Sequence, residues 1–271
     1  MKCRFPVQIE CKGRQIYVPC GKCAWCLSLL RDQWVFRMKQ EAKEHLWNYF
    51  LTLTYRDRDL PWNVNEETGE MVQSVKKEHI SEFNRSLRKK GYRFRFFVTS
   101  EYGPKTLRPH YHGIYFCDQP MDLEKAWPYG DNNVQLPAND GSFQYVMKYV
   151  LKGSKVPEGA ESNFRLMSRR PGIGSKFNYK GDDYLMTLGG IKIAAPRYYR
   201  KAYINSLNEK LRAEIQDAKL DYLAGVDQHS KFRQIYEEKK IDMPFEDWLW
   251  FQYGNDLKQQ NRINNKENEC I

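Results

Sequence analysis

Arg108–Phe116 reads RPHYHGIYF. Beyond Pro109 the run is aromatic, branched or small, which is strand composition, and successive side chains of a strand point to opposite faces. His110 and His112 therefore share one face and Tyr111 takes the other. Two neutral imidazoles a dipeptide apart can hold one divalent ion and leave positions open for water and substrate oxygens. A third ligand is available in Glu101, which ends the preceding strand-like run RFRFFVTSEYG (Arg93–Gly103). A tight turn at Gly103 and Pro104 would let antiparallel pairing set its carboxylate beside the imidazoles.

Working outward, YFLTLTY (Tyr49–Tyr55) alternates and is rich in β-formers, so it is the first strand of the same sheet. A variable loop, DRDLPWNVNEETGE, follows, and KKEHISEFNRSLRKK is a helix ended by Gly91. After the two strands around the turn come a short helical piece, MDLEKAW, a fourth strand, NNVQLP, and a helix, GSFQYVMKYVLKG. The order β-α-β-β-α-β-α predicts an α+β fold with an antiparallel, ferredoxin-like or RRM-like sheet and helices on one face. Residues 154–180, rich in Gly, Ser and Arg, are expected to be a loop. Helices are expected from Ala194 onward, ending in a frayed NRINNKENECI. Upstream, Leu27–His45 lacks Gly and Pro and carries Leu30, Trp34, Val35 and Met38 at helical intervals.

The helix around FQYVMKYVLK separates into two stripes at 100° per residue. Phe143, Val146, Met147 and Val150 make an apolar side. Tyr145, Lys148, Tyr149 and Lys152 cluster opposite and are not needed for the core. A phenol is a poor nucleophile near its ordinary pKa of about 10, but neighbouring ammonium groups or a metal favour the phenolate.

Cys20, Cys23 and Cys26 in PCGKCAWC stand at two-residue gaps, with Cys3 and Cys11 upstream. Two thiolates on such a turn can face one ion, and zinc takes a tetrahedron of ligands. Cys3 is the expected fourth ligand of a structural zinc site. The seven cysteines are an odd number, and crowding near the amino terminus speaks against a disulfide framework.

The formal net charge is +10 over 271 residues, unevenly spread. Residues 76–108 hold ten basic against three acidic side chains and residues 145–180 eight against two, whereas 205–271 reverses to ten against thirteen. A basic middle with 14% aromatic residues points to nucleic acid. No apolar stretch approaches the roughly 20 residues that span a bilayer. MKCRFPVQIECKGRQ has no apolar signal core, so a cytoplasmic protein is expected. There is no Gly-x-x-x-x-Gly-Lys-Ser/Thr loop, hence no ATP-driven motor. Three segments are expected: a Cys-rich segment with its helix (1–48), a catalytic domain (49–204) and a helical extension (205–271).

A His-x-His strand, an upstream Glu and a later Tyr and Lys helix in a basic chain suit phosphodiester transesterification, with a tyrosine attacking phosphorus. In order and spacing, FLTLTY, RPHYHGIYF and YVMKYVLK resemble the three motifs of HUH-type rolling-circle replication initiators. PCGKC before a Trp-containing helix, then TLTY, EYG, RPHYH and PRYY resemble, more narrowly, the initiator of gokushovirus-type microviruses, which are small single-stranded DNA phages. The resemblance covers roughly residues 3–200.

It implies an HUH endonuclease sheet that nicks and rejoins single-stranded or hairpin origin DNA through a 5′-phosphotyrosine. His110, His112 and Glu101 would ligate Mg²⁺ or Mn²⁺, Tyr145 and Tyr149 would alternate as nucleophiles, and Lys148 and Lys152 would contact the ion's water or the phosphate. The missing motor implies a host helicase and polymerase as partners. Other readings are an HUH transposase, a non-catalytic RNA or DNA binder in which the histidines are core or stacking residues, and a zinc-dependent regulator.

Overall fold

The structure, a computed structural model, describes Cys3 and residues 5–152, 156–182, 184–186, 190, 192–225, 230–245 and 247–248, without the side chains of residues 140, 149–152, 186 and 230–232. The expected frayed end, NRINNKENECI, lies outside these residues. Two compact units are built from non-consecutive stretches: Met1–Leu30 with Lys180–Leu185 and Ile193–Ile271, and Arg31–Tyr179 with Met186–Lys192.

The Cys-rich segment contains a hairpin that composition did not announce. β1 (Val7–Cys11) pairs antiparallel with β2 (Arg14–Val18). Lys12 and Gly13 make the two-residue turn at φ 50° and 72°, the left-handed conformation this hairpin geometry requires. α1 (Ala24–Ala42) follows, and from Arg31 onward it belongs to the larger unit.

The larger unit is organised by β3 (Trp47–Thr54). The expected variable loop holds a short 3-10 turn and a small hairpin, β4 (Trp62–Val64) with β5 (Met71–Gln73). Then come α2 (Lys77–Lys89), β6 (Phe94–Tyr102), β7 (Pro109–Cys117), β8 (Asn132–Gln135) and α3 (Asp140–Lys152). β9 (Arg165–Met167) lies inside the stretch expected to be a loop. Its alternation decides this: Phe164 and Leu166 pack toward one core, Met167 toward the other, and the backbone hydrogen-bonds to β6.

The sheet order is β8-β3-β7-β6-β9, each neighbour antiparallel. Counting the expected strands, this is the fourth-first-third-second order of a split βαβ unit, with β9 added at the far edge. α2 covers one face through Ile80, Phe83 and Leu87, which meet Tyr49, Leu51, Leu53, Tyr111 and Tyr115. Each such burial contributes about 1.5–3 kcal/mol. The expected covering of one face by helices holds for α2, and the opposite face is covered too. There Phe97, Ile114 and Phe116 pack on Val35 and Met38 of α1 and on Phe143, Val146 and Met147 of α3. A central strand buried on both faces is apolar throughout, and all of β7 except His110 is buried.

MDLEKAW is not helical. It turns at Glu124 and Lys125, with Lys125 at φ 56°, because Met121, Leu123 and Trp127 are all drawn into the core beneath α2. Trp127 Nε1 also donates to the Thr54 carbonyl at 2.8 Å.

Beyond residue 180, β10 (Tyr184–Met186) and β11 (Lys192–Ala194) form a two-stranded sheet. The expected helices are α4 (Arg197–Ser206), α5 (Glu209–Gly225) and α6 (Ser230–Glu238). Within the smaller unit α5 lies on the β1–β2 hairpin, where Arg14 Nε meets Asp221 at 2.8 Å and Lys12 Nζ meets Asp217 at 3.2 Å. Exposed pairs of this kind contribute at most about 1 kcal/mol each.

Candidate active site

The β6–β7 register sets Glu101 directly across from His110, and Thr99 across from His112. On the other side β3 sets Thr54 across from His110 and Thr52 across from His112. Directly paired residues of antiparallel strands point the same way, so these six side chains share the face that α3 partly covers. Sequence reasoning found the two histidines and the glutamate. It missed the threonines, although the alternation of TLT in YFLTLTY carried the signal.

The antiparallel turn brings the three candidate ligands together as expected. His110 Nε2 lies 2.9 Å and His112 Nε2 3.2 Å from the same carboxylate oxygen, Glu101 Oε2. The second ring nitrogens are held from behind. His110 Nδ1 faces the Arg108 carbonyl at 3.2 Å, and His112 Nδ1 faces Thr52 Oγ1 at 3.2 Å. Glu101 and His112 are buried, at 8% and 3% exposure.

Burial by itself pulls the Glu101 carboxyl upward, but the hydrogen bonds and charge of His110 and His112 outweigh it and hold the group below the ordinary carboxylate range. Burial pushes the His112 imidazole down, and Glu101 only partly opposes this. The stable combination at neutral pH is an ionised carboxylate beside a neutral His112.

The donor set fits a divalent cation. A carbonyl can only accept, so the Arg108 contact fixes the proton of a neutral His110 on Nδ1 and leaves a lone pair on Nε2, aimed at the anionic oxygen of Glu101. A cation between these acceptors resolves their repulsion, and imidazole fixed from behind through its other nitrogen is the usual arrangement of a metal ligand. The ligand atoms of Glu101, His110 and His112 lie within 4.8 Å of one another.

α3 delivers Tyr145 to this site. Its ring stands 5.2 Å from that of His112 at 89°, and 5.7 Å from that of Phe50 at 88°. The apolar stripe Phe143, Val146 and Met147 is buried in the sheet's core, which fixes the rotation of the helix and leaves Tyr145 half-buried at the edge of the imidazoles. Lys148 Nζ lies 5.8 Å from the centre of the Tyr145 ring. The side chains of Tyr149 and Lys152 lie outside the described residues.

In the smaller unit Cys3, Cys20, Cys23 and Cys26 converge, their sulfurs all within 4.8 Å of one another. Cys11, at the end of β1, is not among them. Cys23 Sγ lies 3.8 Å from Cys3 Sγ, and Cys20 Sγ 3.9 Å from Cys26 Sγ. Gly21 at φ 74° turns the chain so that the amides of Lys22 and Cys23 donate to Cys20 Sγ at 3.5 and 3.3 Å, and the Cys20 amide donates to Cys3 Sγ at 3.4 Å. Burial raises the Cys20 thiol, but these amides and the neighbouring thiols overcome it and bring it down to about 7. Burial pushes Cys3 up to about 11 and raises Cys26 as well.

Residues 48–154, which carry this sheet and α3, match the family model of the replication-associated protein ORF2 type. The chain is 28% identical over 285 residues to Replication-associated protein ORF2 of Spiroplasma virus 4, covering 91% of this chain and 83% of that protein. It is 28% identical to Replication-associated protein VP4 of Bdellovibrio phage phiMH2K, covering 71% and 69% of the two chains. To Replication-associated protein ORF4 of Chlamydia phage 1 it is 27% identical, covering 68% and 52%. No solved structure matches. With the sheet order, the Glu101 and histidine cluster and these matches together, the chain belongs among the replication-associated proteins of microvirus-type phages.

Proposed function

We propose that the protein initiates rolling-circle replication by nicking and rejoining single-stranded phage DNA, with Tyr145 as a nucleophile. The observation that carries this reading is the meeting of Tyr145 with His112 at the carboxylate and imidazole cluster. Glu101, His110 and His112 are the residues that hold Mg²⁺ or Mn²⁺. When bound, the ion supplies Lewis-acid polarisation of the scissile phosphate. The Tyr145 oxygen forms a bond to phosphorus while the bond to the 3′-oxygen breaks, and the proton lost by the phenol is balanced by the one the 3′-oxygen gains. The products are a 5′-phosphotyrosine and a free 3′-hydroxyl, and the reverse reaction rejoins a strand.

Lys148, beside the Tyr145 ring, favours the phenolate by its charge. Tyr149, four residues on, is the second nucleophile, and Lys152 the second cation. The basic middle of the chain holds an unpaired or hairpin origin strand. Unwinding and synthesis fall to a host helicase and polymerase in the host cytoplasm.

The thiol cluster is a structural Zn²⁺ site. A tetrahedral ion with Zn–S bonds of about 2.3 Å sets its sulfurs roughly 3.8 Å apart, and the measured 3.8 and 3.9 Å agree. A four-iron cluster spreads its four thiolates over separate irons, which these separations do not accommodate.

The experiment is to incubate the full chain and Mn²⁺ with end-labelled single-stranded oligonucleotides tiling the genome that encodes it. A covalent adduct that disappears with EDTA, and in the Tyr145→Phe, Tyr149→Phe double variant, is the expected result. Binding without an adduct on any oligonucleotide overturns the reading in favour of a non-catalytic DNA binder.

A further inference from the structure

We propose that Arg165 is a further catalytic residue of this site, a guanidinium that grips the scissile phosphate from the side opposite Tyr145. The inference rests on the nicking reading. Its basis is a row of side chains running straight across the sheet. β8 pairs Asn133 with Thr52, β3 pairs Thr52 with His112, β7 pairs His112 with Thr99, and β6 pairs Thr99 with Arg165. Paired residues of antiparallel neighbours share a face, so the whole row looks out on the side of the imidazoles.

Packing gives the same sidedness independently. Phe164 and Leu166 turn into the core beneath α2, whereas Met167 packs with Phe97 in the core beneath α3. Arg165, between Phe164 and Leu166, must face the α3 side, where His112 lies.

Two strand spacings separate the Arg165 and His112 backbones, about 10 Å, and an extended arginine covers most of that distance. Its side chain is exposed, and among the described residues no hydrogen bond or ion pair engages it. Two other arginines of the sheet are already committed. Arg95 is bound by Glu41 and the Pro171 carbonyl, and Arg108 by Asp57 and the Tyr55 carbonyl.

Tyr145 approaches over β3 and β7, against Phe50 and His112, while Arg165 comes from beyond β6. In an in-line displacement the attacking and leaving oxygens lie on opposite sides of phosphorus. Arg165 therefore stands on the side of the departing 3′-oxygen. There a two-pronged donor can hold a non-bridging oxygen and stabilise the charge growing on the leaving group.

The test uses the full chain, Mn²⁺ and the oligonucleotide that forms the wild-type adduct. Arg165→Ala is expected to slow single-turnover adduct formation about 100-fold, with Mn²⁺ affinity unchanged and a much smaller change in oligonucleotide affinity. Arg165→Lys should recover little of the rate, since an ammonium cannot form the paired contact. Arg169→Ala, an exposed arginine beyond β9, should leave the rate near wild type.

A wild-type rate in Arg165→Ala overturns the proposal and leaves the nicking reading standing. A loss of rate matched by a loss of Mn²⁺ affinity also overturns it, because a merely structural disturbance of β6 would move Glu101. Absence of any wild-type adduct overturns the nicking reading and this proposal together.

Discussion

Glu101 Oε2 lies 3.2 Å from His112 Nε2 although the two residues are eleven apart in sequence, because β6 and β7 fold back on each other around the turn at Gly103. The carboxylate is thus the shared contact of both imidazoles. Glu101→Gln removes the charge while keeping the shape, and is expected to weaken Mn²⁺ binding at least tenfold, the lower range for disturbing a metal's ligand environment. Titration of Mn²⁺ by paramagnetic resonance measures this. Unchanged affinity would remove Glu101 from the ligand set.

Tyr145→Phe separates chemistry from ion binding. The variant keeps the ring that packs on Phe50 and His112 and loses only the hydroxyl. Mn²⁺ affinity is expected to stay at the wild-type value while any adduct shifts entirely to Tyr149, identified by mass spectrometry of the DNA-linked peptide. An adduct still mapped to residue 145's neighbours other than Tyr149 would contradict the assignment.

Zinc content discriminates among the cysteines. The isolated wild-type chain should carry one zinc, and Cys3→Ser or Cys26→Ser should lose it and unfold at lower temperature, as expected when metal binding is coupled to folding. Cys11→Ser, outside the cluster, should retain both metal and melting temperature. Equal zinc in all three variants by atomic emission would refute the site.

Glu41 and His45 make opposite contributions to pH stability. Burial opposes ionisation of Glu41, but His45, the Gly174 amide at 2.6 Å and Arg95 outweigh it and depress its carboxyl. Its stabilisation is present above the ordinary value near 4.3 and fades as pH falls through the depressed value. The hydrogen bond with Glu41 and the contact with Asp118 raise His45 despite its burial. Its contribution is complete below the ordinary value near 6.5 and is lost as pH rises through the raised one. Thermal melting from pH 3 to 9 should show His45→Gln flattening the neutral-to-alkaline limb and Glu41→Gln the acid limb. Unaltered profiles would refute both assignments.

Gly113 sits where β7 has no room for a side chain. A Cβ there would lie 2.9 Å from Val98 Cγ2 and 3.0 Å from Tyr115 Cε2. Gly113→Ala should destabilise by about 1–3 kcal/mol, the usual cost of overpacking. Val98→Ala in the same chain should recover part of it, a coupling that a double-mutant cycle in urea reads. Purely additive losses would mean that the clash is relieved elsewhere.

Much of the fold was legible because its signals are local. The period of two in YFLTLTY and RPHYHGIYF set which residues share a face, and the stripe Phe143, Val146 and Met147 set which side of α3 is buried. β9 and the β1–β2 hairpin were not legible. Strands of three and five residues owe their existence to hydrogen bonds with a partner, and composition alone carries little of that. MDLEKAW looked helical by propensity and was overruled by the burial of Met121, Leu123 and Trp127.

The sequence by itself determined the chemistry on offer: two imidazoles on one strand face, a carboxylate one turn upstream, phenols and ammoniums on a helix, and four thiols near the amino terminus. Only the tertiary structure decided which of these meet. Register set Glu101 against His110, helix packing set Tyr145 against His112, and chain reversal chose Cys3 over Cys11. The physical reason is that periodicity fixes direction within one element, whereas proximity between elements depends on long-range burial and backbone pairing, to which every segment of the sheet contributes at once.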